Sequence, residues 1–586
     1  MERWILKGGL YRTYMERFSV NPLLAKILSA RVAPEETEDF LDREGKLSDP
    51  FLLPDMDKAA ALLQKHLEAG STIRIVGDYD VDGVTSSAIL YLGLKALGAR
   101  VDCRIPERIG EGYGFCASIA EEIIRDGIQL VLTCDNGIRE TDRAAFLKEH
   151  GVDLIITDHH EVEIGPEGED VLPDAGAVIN PHRKDSVYPY PQICGAAVAY
   201  QLIRGLRKKL GLLEQDKRLL GYAALGTVCD VMPLQGENRR LVSQGFSYLN
   251  EQPGPGIRAL LEASGTGKLT PYTAGFVIGP MLNAGGRLGS QNRYLPILIS
   301  EDEGLCRQLA AELWQMNRER QQMTEEGIRE GMRQLEQKEA GQLVKVLYLP
   351  ELHESIAGLV AGKIKERTHC PVYVLTRGEE GLKGSGRSIP PYRMFEEMCK
   401  VSDLFSKFGG HPMAAGFSLA AEPGKEEEAV REMERRLNEV STLTEKDCAE
   451  EVYIDAAVRM QDLSVPVIRS LEILEPCGTG NPRPLLAQKS LLLKRGRWLG
   501  QNHKALKLTL VSGNTASEAL LFRTELLLDL LTEPEKELLE KGQYWPEPRT
   551  VDVCYQAEID TYRSEPSPKF IIQHMREVPG DFAQIK

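Results

Sequence analysis

The chain has 586 residues, enough for several domains, and its 42% hydrophobic and 27% charged content is ordinary for a soluble globular protein. A net charge of −16 excludes a protein that coats duplex DNA by global attraction, so any contact with nucleic acid has to be concentrated in a local basic groove. No apolar run reaches the roughly 18 residues of a membrane span, and the eleven cysteines stand without a Cys-x-x-Cys pair, which suits reduced thiols in a cytosol rather than disulfides or a zinc site.

The stretch Met1-Glu2-Arg3-Trp4-Ile5-Leu6-Lys7 is interrupted by charge and lacks a signal peptide's apolar core, so a cytoplasmic protein without membrane contact is expected. Residues 1–50 read as a helical segment with a packing role. Pro22-Leu23-Leu24-Ala25 starts one amphipathic helix, and Pro34-Glu35-Glu36-Thr37-Glu38 starts another. Pro50-Phe51-Leu52-Leu53-Pro54 leads rigidly into the first large domain. A helix over 56–69 precedes an apolar run, 73–76, that reads as a buried strand. Gly77-Asp78-Tyr79-Asp80-Val81-Asp82-Gly83 follows, then a helical stretch over 84–97. In extended chain, residues two apart point the same way. Asp78, Asp80 and Asp82 are therefore expected to crowd their charges at the carboxyl end of a strand, where open α/β sheets place ligands. A bound cation is the simplest relief of that repulsion; a solvated acidic loop is the alternative.

Strand and helix then alternate, the mark of a parallel sheet. A strand over 101–105 is followed by Arg108 and the Glu111-Gly112-Tyr113-Gly114-Phe115 loop. A second, 129–133, ends in Cys134-Asp135-Asn136-Gly137, and a third, 153–157, in Asp158-His159-His160. Three strand ends carrying acid or imidazole at one predicted edge favour a shared metal site over unrelated helix caps. Asp230 follows the apolar segment 222–228 and has apolar neighbours. A buried carboxylate there needs a partner or a metal, unless it only caps a turn. Carboxylates with one imidazole and no thiolate suit Mn²⁺ or Mg²⁺ ahead of zinc, and the number of acids favours two ions. Such a site can activate water and stabilise both oxygens of an in-line phosphoryl displacement. By chemistry alone this is a phosphodiester or phosphoanhydride hydrolase.

Asp78-x-Asp80-x-Asp82-Gly83, Asp135-Asn136-Gly137, Asp158-His159-His160 and Asp230 together resemble the DHH phosphoesterase family. Within it the chain is similar to the exonucleases that degrade single-stranded DNA 5′→3′. Met281-Leu282-Asn283-Ala284-Gly285-Gly286-Arg287 is similar to their Leu-Asn-Ala-Ala-Gly-Arg signature. The resemblance implies that Asp80, Asp82, Asp135, His159 and Asp230 hold two Mn²⁺ or Mg²⁺ ions. It implies that Asp78 and Asp158 orient those ligands and that His160 lies beside the scissile phosphate as hydrogen-bond donor or acid. Arg287 would neutralise charge on that phosphate; a structural salt bridge is the alternative.

Residues 302–338, nearly free of glycine and proline, read as a long helix joining two lobes. The second lobe opens with a strand over 343–349, a helix over 356–367 and a strand over 371–375. Two glycine-rich loops follow, Lys383-Gly384-Ser385-Gly386-Arg387-Ser388 and Phe408-Gly409-Gly410-His411-Pro412-Met413-Ala414-Ala415-Gly416, whose small residues let a backbone approach a phosphate. They resemble the DHHA1 domain that accompanies the DHH domain. The resemblance implies that Ser385 and Arg387, with Arg108 from across the cleft, hold a 5′-terminal phosphate, and that Gly409, Gly410 and His411 also meet nucleic acid. Tyr113 would stack on a base or pack locally. The segment 421–445 reads as a charged helix with a solvated face.

Short alternating strands near 452–455, 491–497, 506–510, 551–553 and 570–572 suggest a small barrel of the oligonucleotide-binding class. Lys494, Arg495, Arg497, Trp498, Lys504 and Lys507 mix cations with an aromatic, as a single-strand groove needs, although such a barrel could equally be an interdomain prop. The chain departs from the family at Leu352-His353-Glu354-Ser355, where Trp-His-Glu-Gly is usual, and at Cys477, where an aromatic is usual. No proposed metal position is lost.

The expected fold is an α/β, parallel-sheet DHH domain (51–300) and an α/β DHHA1 domain (341–447), joined by a connecting helix (301–340). An N-terminal helical segment (1–50) precedes them and an OB-fold β-barrel (448–586) follows. The expected activity is a metal-dependent exonuclease that releases mononucleotides from the 5′ end of single-stranded DNA in repair and recombination. The barrel would close a ring-like path for the strand. A monomer is expected, with a single-strand-binding protein or a helicase as partner. The rivals are a DHH phosphodiesterase for short RNA or cyclic dinucleotides and a non-catalytic replication scaffold.

Overall fold

The computed structural model describes residues 2–107, 111, 114–212, 216–338, 341–378, 381–422, 424–500, 503–561 and 565–578. Its contacts gather into two units. One holds residues 46–233 and 240–450; the other holds 2–45, 234–239 and the described residues from 451 onward.

The first unit is built on five parallel strands. They are β1 (Thr72–Val76), β2 (Arg100–Arg104), β3 (Leu130–Cys134), β4 (Asp153–Thr157) and β5 (Ala177–Ile179), in the order β2-β1-β3-β4-β5. The chain leaves β1 toward one edge and returns on the other side as β3. That makes the β1/β3 carboxyl end a topological switch point, where open α/β sheets bind ligands. Ile73, Ile75, Leu130, Leu132 and Ile155 are fully buried, because a parallel sheet is covered on both faces. Helix α1 (Val81–Ala96) is apolar or small nearly all round and is buried from Val81 to Leu90. It packs between α2 (Gly195–Lys209) and α3 (Lys217–Cys229). At Gly93 a Cβ would stand 2.8 Å from the Ile203 side chain of α2, so the glycine sets the helix spacing.

Helix α4 (Gly279–Leu288) carries Arg287, and α5 (Glu303–Glu336) is the long connecting helix. Asp302 caps α5 by accepting from the backbone of Gly304 and Leu305 at 2.8 and 3.0 Å. Next come β6 (Lys345–Tyr348), α6 (Ala357–Thr368), β7 (Val372–Gly378), β8 (Gly381–Arg387), β9 (Phe405–His411) and β10 (Ala414–Leu419). Their sheet order is β9-β10-β8-β7-β6. Of the two glycine-rich segments expected to be loops, 383–388 lies in strand β8 and its end, and 408–416 is the hairpin of β9 and β10 with its turn at Pro412-Met413. In β8 glycine occurs because neighbours occupy the Cβ space: at Gly384 a Cβ would run into the Phe417 ring, and at Gly386 into the Met394 sulfur.

The second unit is a barrel. Strands Leu486–Leu499, Ala505–Ser512, Thr515–Leu521, Ser567–Glu577 and Tyr544–Asp560 pair in that order, and the last pairs back with the first. Leu493, Leu506, Leu508, Val551 and Ile572 fill its interior and share one apolar cluster with Leu23, Leu24, Ile27 and Leu28 of the helix Pro22–Arg31. The N-terminal segment is not wholly helical as expected. Arg3–Leu6 is a strand, paired parallel with Glu451–Ile454, because a partner far along the chain offers it an edge that no local pattern reveals. Among the described residues no helix is long and apolar enough to cross a membrane.

Candidate active site and metal centre

The end of β1 delivers three carboxylates, but not by simple alternation. Asp78 is buried beyond the strand, Asp80 is the N-cap of α1 with its carboxylate on the Gly83 amide at 3.1 Å, and Asp82 lies inside the first helical turn. The expectation of three residues on one extended run is corrected here: the helix begins at Val81 because Asp80 caps it. Asp82 is instead aimed by α2, whose first amides, Gly195 and Ala196, donate to its two oxygens at 2.6 and 2.9 Å. A helix N-terminus suits an anion. The fit is close: at Gly195 a Cβ would stand 2.7 Å from the Asp135 Cβ, and at Gly226 of α3 it would stand 2.7 Å from Asp82 Oδ1. Sequence reasoning did not find Gly195, Ala196 or Gly226. The run Gly195-Ala196-Ala197 at a helix start was the available signal.

At the end of β3, Asp135 adopts φ 61° and Gly137 φ 109°. A non-glycine residue in the left-handed region is uncommon, and such strain gathers at functional sites. At the end of β4, Asp158 is a hub. Its Oδ1 accepts from the amides of His159 and His160 at 2.8 and 3.2 Å and pairs with His160 Nδ1 at 2.7 Å, while Oδ2 accepts from the Ile138 amide at 2.9 Å. His159 Nε2 faces three carboxylates: Asp135 at 3.1 Å, Asp82 at 3.6 Å and Asp230, just past α3, at 3.7 Å.

The electrostatics describe a site that needs positive charge. Burial, then the charge of Asp80, raises the Asp78 carboxyl well above its ordinary range. Burial, then Asp82 and Asp80, does the same to Asp135, and burial with Asp82 raises Asp80. Asp230 is pushed up to about 8 by burial and the same two neighbours. Burial depresses His159, keeping its imidazole neutral as a ligand must be. Burial also opposes charge on Asp158 and His160, but their mutual hydrogen bond outweighs it. Asp158 is held below the usual carboxylate range, and His160 is raised to about 9.

At this end of the sheet, among the described residues, three sets of side chains bring one ligand atom each within 4.8 Å of one another: Asp82, His159 and Asp230; Asp78, Asp80 and Asp135; and Asp135 with His159 and His160. Asp135 belongs to two of them, as a carboxylate shared by two ions would. Asp78 Oδ1 is buried and has no hydrogen-bond partner among the described residues, an orphan that a cation would satisfy. The donor set fits hard divalent ions.

Arg287 donates Nη1 to the Ser355 carbonyl at 2.7 Å. Ser355 also meets His353 Nδ1 through its hydroxyl at 2.8 Å. Arg287, Lys383, Ser385, Arg387, Lys407 and Gly409 line a cavity of about 520 Å³, where Glu354 pairs with Lys383 at 3.0 Å. At Gly358 of α6 a Cβ would stand 2.8 Å from Ser385 Oγ and 2.9 Å from Arg387 Nη2, so glycine keeps this cradle open. A second cavity, of about 360 Å³, is lined by Gly137, Arg139, Asp158, His160 and His411. Gly409 and His411, two apart on β9 and so on one face of it, reach the first and second cavity respectively. At Gly410 between them, a Cβ would stand 2.3 Å from the Ala414 carbonyl oxygen. Arg108 and Tyr113 lie outside the described residues. On the barrel, Lys507 pairs with Glu518 at 2.5 Å, and Trp498 donates to Glu540 at 2.9 Å while stacking on His503.

Comparison with known proteins places this geometry. The N-terminal domain of the DHH family matches residues 72–227, the DHHA1 domain 341–439 and the RecJ OB domain 454–574. The single-stranded-DNA-specific exonuclease RecJ of Salmonella typhimurium is 33% identical over 580 residues, covering 94% of this chain and 95% of its own. The chain belongs to the RecJ family. The RecJ of Bacillus subtilis is 35% identical over 508 residues, which span 85% of this chain and 62% of the Bacillus protein's length. Crystallised RecJ of Thermus thermophilus in complex with Mn²⁺ superposes with a TM-score of 0.79 at 29% identity, covering 99% of this chain and 80% of that one. The same RecJ has been solved with Mg²⁺.

Proposed function

We propose that this RecJ-family chain hydrolyses single-stranded DNA from its 5′ end to mononucleotides, using two Mn²⁺ or Mg²⁺ ions, in DNA repair and recombination. The observation that carries this reading is the pairing of two opposite sites in one unit. Five carboxylates and His159 gather at the sheet's switch point, while a cationic cavity is joined to the His160 pocket by one face of β9.

Asp80, Asp82, Asp135, Asp230 and His159 would hold the ions, with Asp78 and Asp158 orienting them. When bound, such ions supply Lewis acidity and water activation at neutral pH. The protein's own groups set the rest. Arg287, steadied by the Ser355 carbonyl, offsets charge on the phosphate undergoing displacement. Asp158 engages His160 Nδ1, so a hydrogen bond to a substrate oxygen comes from Nε2. Ser385 and Arg387, with Arg108, grip the 5′-terminal phosphate and so set polarity, while Gly409, Gly410 and His411 carry the strand past the metals.

The domain limits that go with this reading are 51–300, 301–340, 341–447 and 448–586. A monomer in the cytoplasm fits it, and a helicase or single-strand-binding protein would supply unpaired DNA.

The test is a length series of 5′-labelled DNA and RNA with Mn²⁺. Stepwise release of mononucleotides from long single strands is expected, and its loss in Asp80→Ala and Asp135→Ala. Cleavage confined to oligomers of a few nucleotides would assign another substrate. Turnover equal to the parent's in both variants would remove the metal centre from the reaction.

A further inference from the structure

The chain carries 87 Asp and Glu in 586 residues, yet none falls between residues 263 and 300. That stretch holds Lys268, Arg287 and Arg293 as its only Lys or Arg residues. Within an acidic protein this segment therefore repels a polyanion little. It also exposes two large rings: Tyr272 is 62% and Phe276 66% accessible. Their centroids lie 5.1 Å apart with planes inclined by 28°, the contact expected of positions four apart on a helix. Exposed large apolar residues normally stand singly, so a stacked pair left in water asks for a ligand.

The backbone beneath the rings is a π-helical turn, Ala274–Ile278, between the short helix Pro271–Thr273 and α4, which bears Arg287. The Gly279 amide donates to the Ala274 carbonyl five residues back, and such turns occur preferentially at functional sites. That same carbonyl accepts from Cys229 Sγ at 3.6 Å. At Gly279 a Cβ would stand 2.6 Å from that sulfur. Cys229 directly precedes Asp230, one of the carboxylates around His159. Cys229 thus meets both ends of the π turn, at the Ala274 carbonyl and at Gly279, and ties it to the position before Asp230. Lys268 is exposed, and its carbonyl accepts from Thr273 Oγ1 at 2.9 Å, which keeps a cation in the turn that adjoins the rings.

We infer that Tyr272 and Phe276 form a platform on which an unpaired base of the substrate strand stacks beside Asp230. The ligand class is a nucleobase of single-stranded DNA. Every base has a π-face, so stacking is sequence-tolerant, and aromatic rings on a segment that carries cations are what a single strand binds. A base still paired in a duplex cannot offer its face to a ring on the protein. The platform therefore adds single-strand preference at the metal centre itself. This inference rests on the nuclease reading above.

The test uses the full-length protein with Mn²⁺, 5′-phosphorylated oligonucleotides, and the variants Phe276→Ala, Tyr272→Ala and Phe276→Leu, the last keeping apolar bulk without a π-face. Degradation by the parent establishes the nuclease reading independently; an inactive parent would overturn both. KM is expected to rise by about five- to a hundredfold in each variant, the range that base–aromatic stacking covers, with kcat falling by a smaller factor. A single abasic site walked along the strand should raise the parent's KM at one position and add nothing further there in Phe276→Ala. Parental KM in the variants, or an undiminished abasic penalty in Phe276→Ala, would overturn the platform.

Discussion

Gly195 gives its backbone N–H to Asp82 Oδ2 at 2.6 Å, and its missing Cβ is what lets α2 come this near to Asp135. One backbone position thus serves two carboxylates from different strand ends. Gly195→Ala should lower activity by about ten- to a hundredfold, the usual cost of disturbing groups that orient metal ligands, and weaken Mn²⁺ binding. The checks are a Mn²⁺ titration of activity and circular dichroism, which should report an unchanged helix content.

The acids around His159 repel one another until cations arrive. Metal should therefore stabilise the parent by about 2.7 kcal/mol at a hundredfold excess over Kd. Asp135→Asn should reverse the ranking: at least as stable as the parent in EDTA, because a repelling charge is gone and asparagine tolerates the left-handed backbone, yet less stabilised by Mn²⁺. Thermal melts of both proteins with and without Mn²⁺ decide it. A parent whose melting point ignores Mn²⁺ would contradict the ligand assignment.

Arg387 lines the cationic cavity with Ser385 and Lys383. A hydrogen bond to a charged group contributes about 1.5–3 kcal/mol. Arg387→Ala should then cut the preference for 5′-phosphate over 5′-hydroxyl ends by about ten- to a hundredfold, with little effect on 5′-hydroxyl substrates. The ratio of kcat/KM values for the two ends measures it directly.

Away from the site, Glu535 accepts the forked guanidinium of Arg549, Nε on Oε1 at 3.0 Å and Nη2 on Oε2 at 2.7 Å, and closes a capping box with Thr532. Burial opposes its charge, but these hydrogen bonds prevail and hold its carboxyl at about 2 against an ordinary 4.5. A depressed folded-state value adds stability that is complete above the unfolded value and fades as pH falls toward the folded one. Glu535→Gln should lower the urea midpoint at pH 7, and its deficit should shrink below about pH 4.5. A deficit independent of pH would mean that packing, not charge, is lost.

Much of the catalytic unit was legible because its signals are local. The apolar runs of β1, β3 and β4 and the acids or imidazoles at their ends lie within single short windows, and the run 302–338, nearly free of glycine and proline, marks the long helix. What escaped depends on neighbours distant in sequence. Glycines at 384 and 386 look like turn residues until the Phe417 ring and Met394 are seen to fill the space of their side chains. Arg3–Leu6 carries no strand pattern of its own and takes its structure from Glu451–Ile454. Thr515–Leu521, a short alternating strand in the barrel, offered too few apolar residues to stand out. The helix that aims Asp82 begins more than a hundred residues after it.

The pairing of Arg3 with Glu451 spans 448 positions. During synthesis at about 5–20 residues per second, the first segment waits roughly 20–90 s on the ribosome before its partner strand emerges. Through that interval Leu23, Leu24, Ile27 and Leu28 have no barrel to pack into, and the catalytic unit is made in between. The residues of this segment are then among the last to reach their native neighbours, and the nascent chain presents an unpacked apolar helix to chaperones while the nuclease domain folds after it.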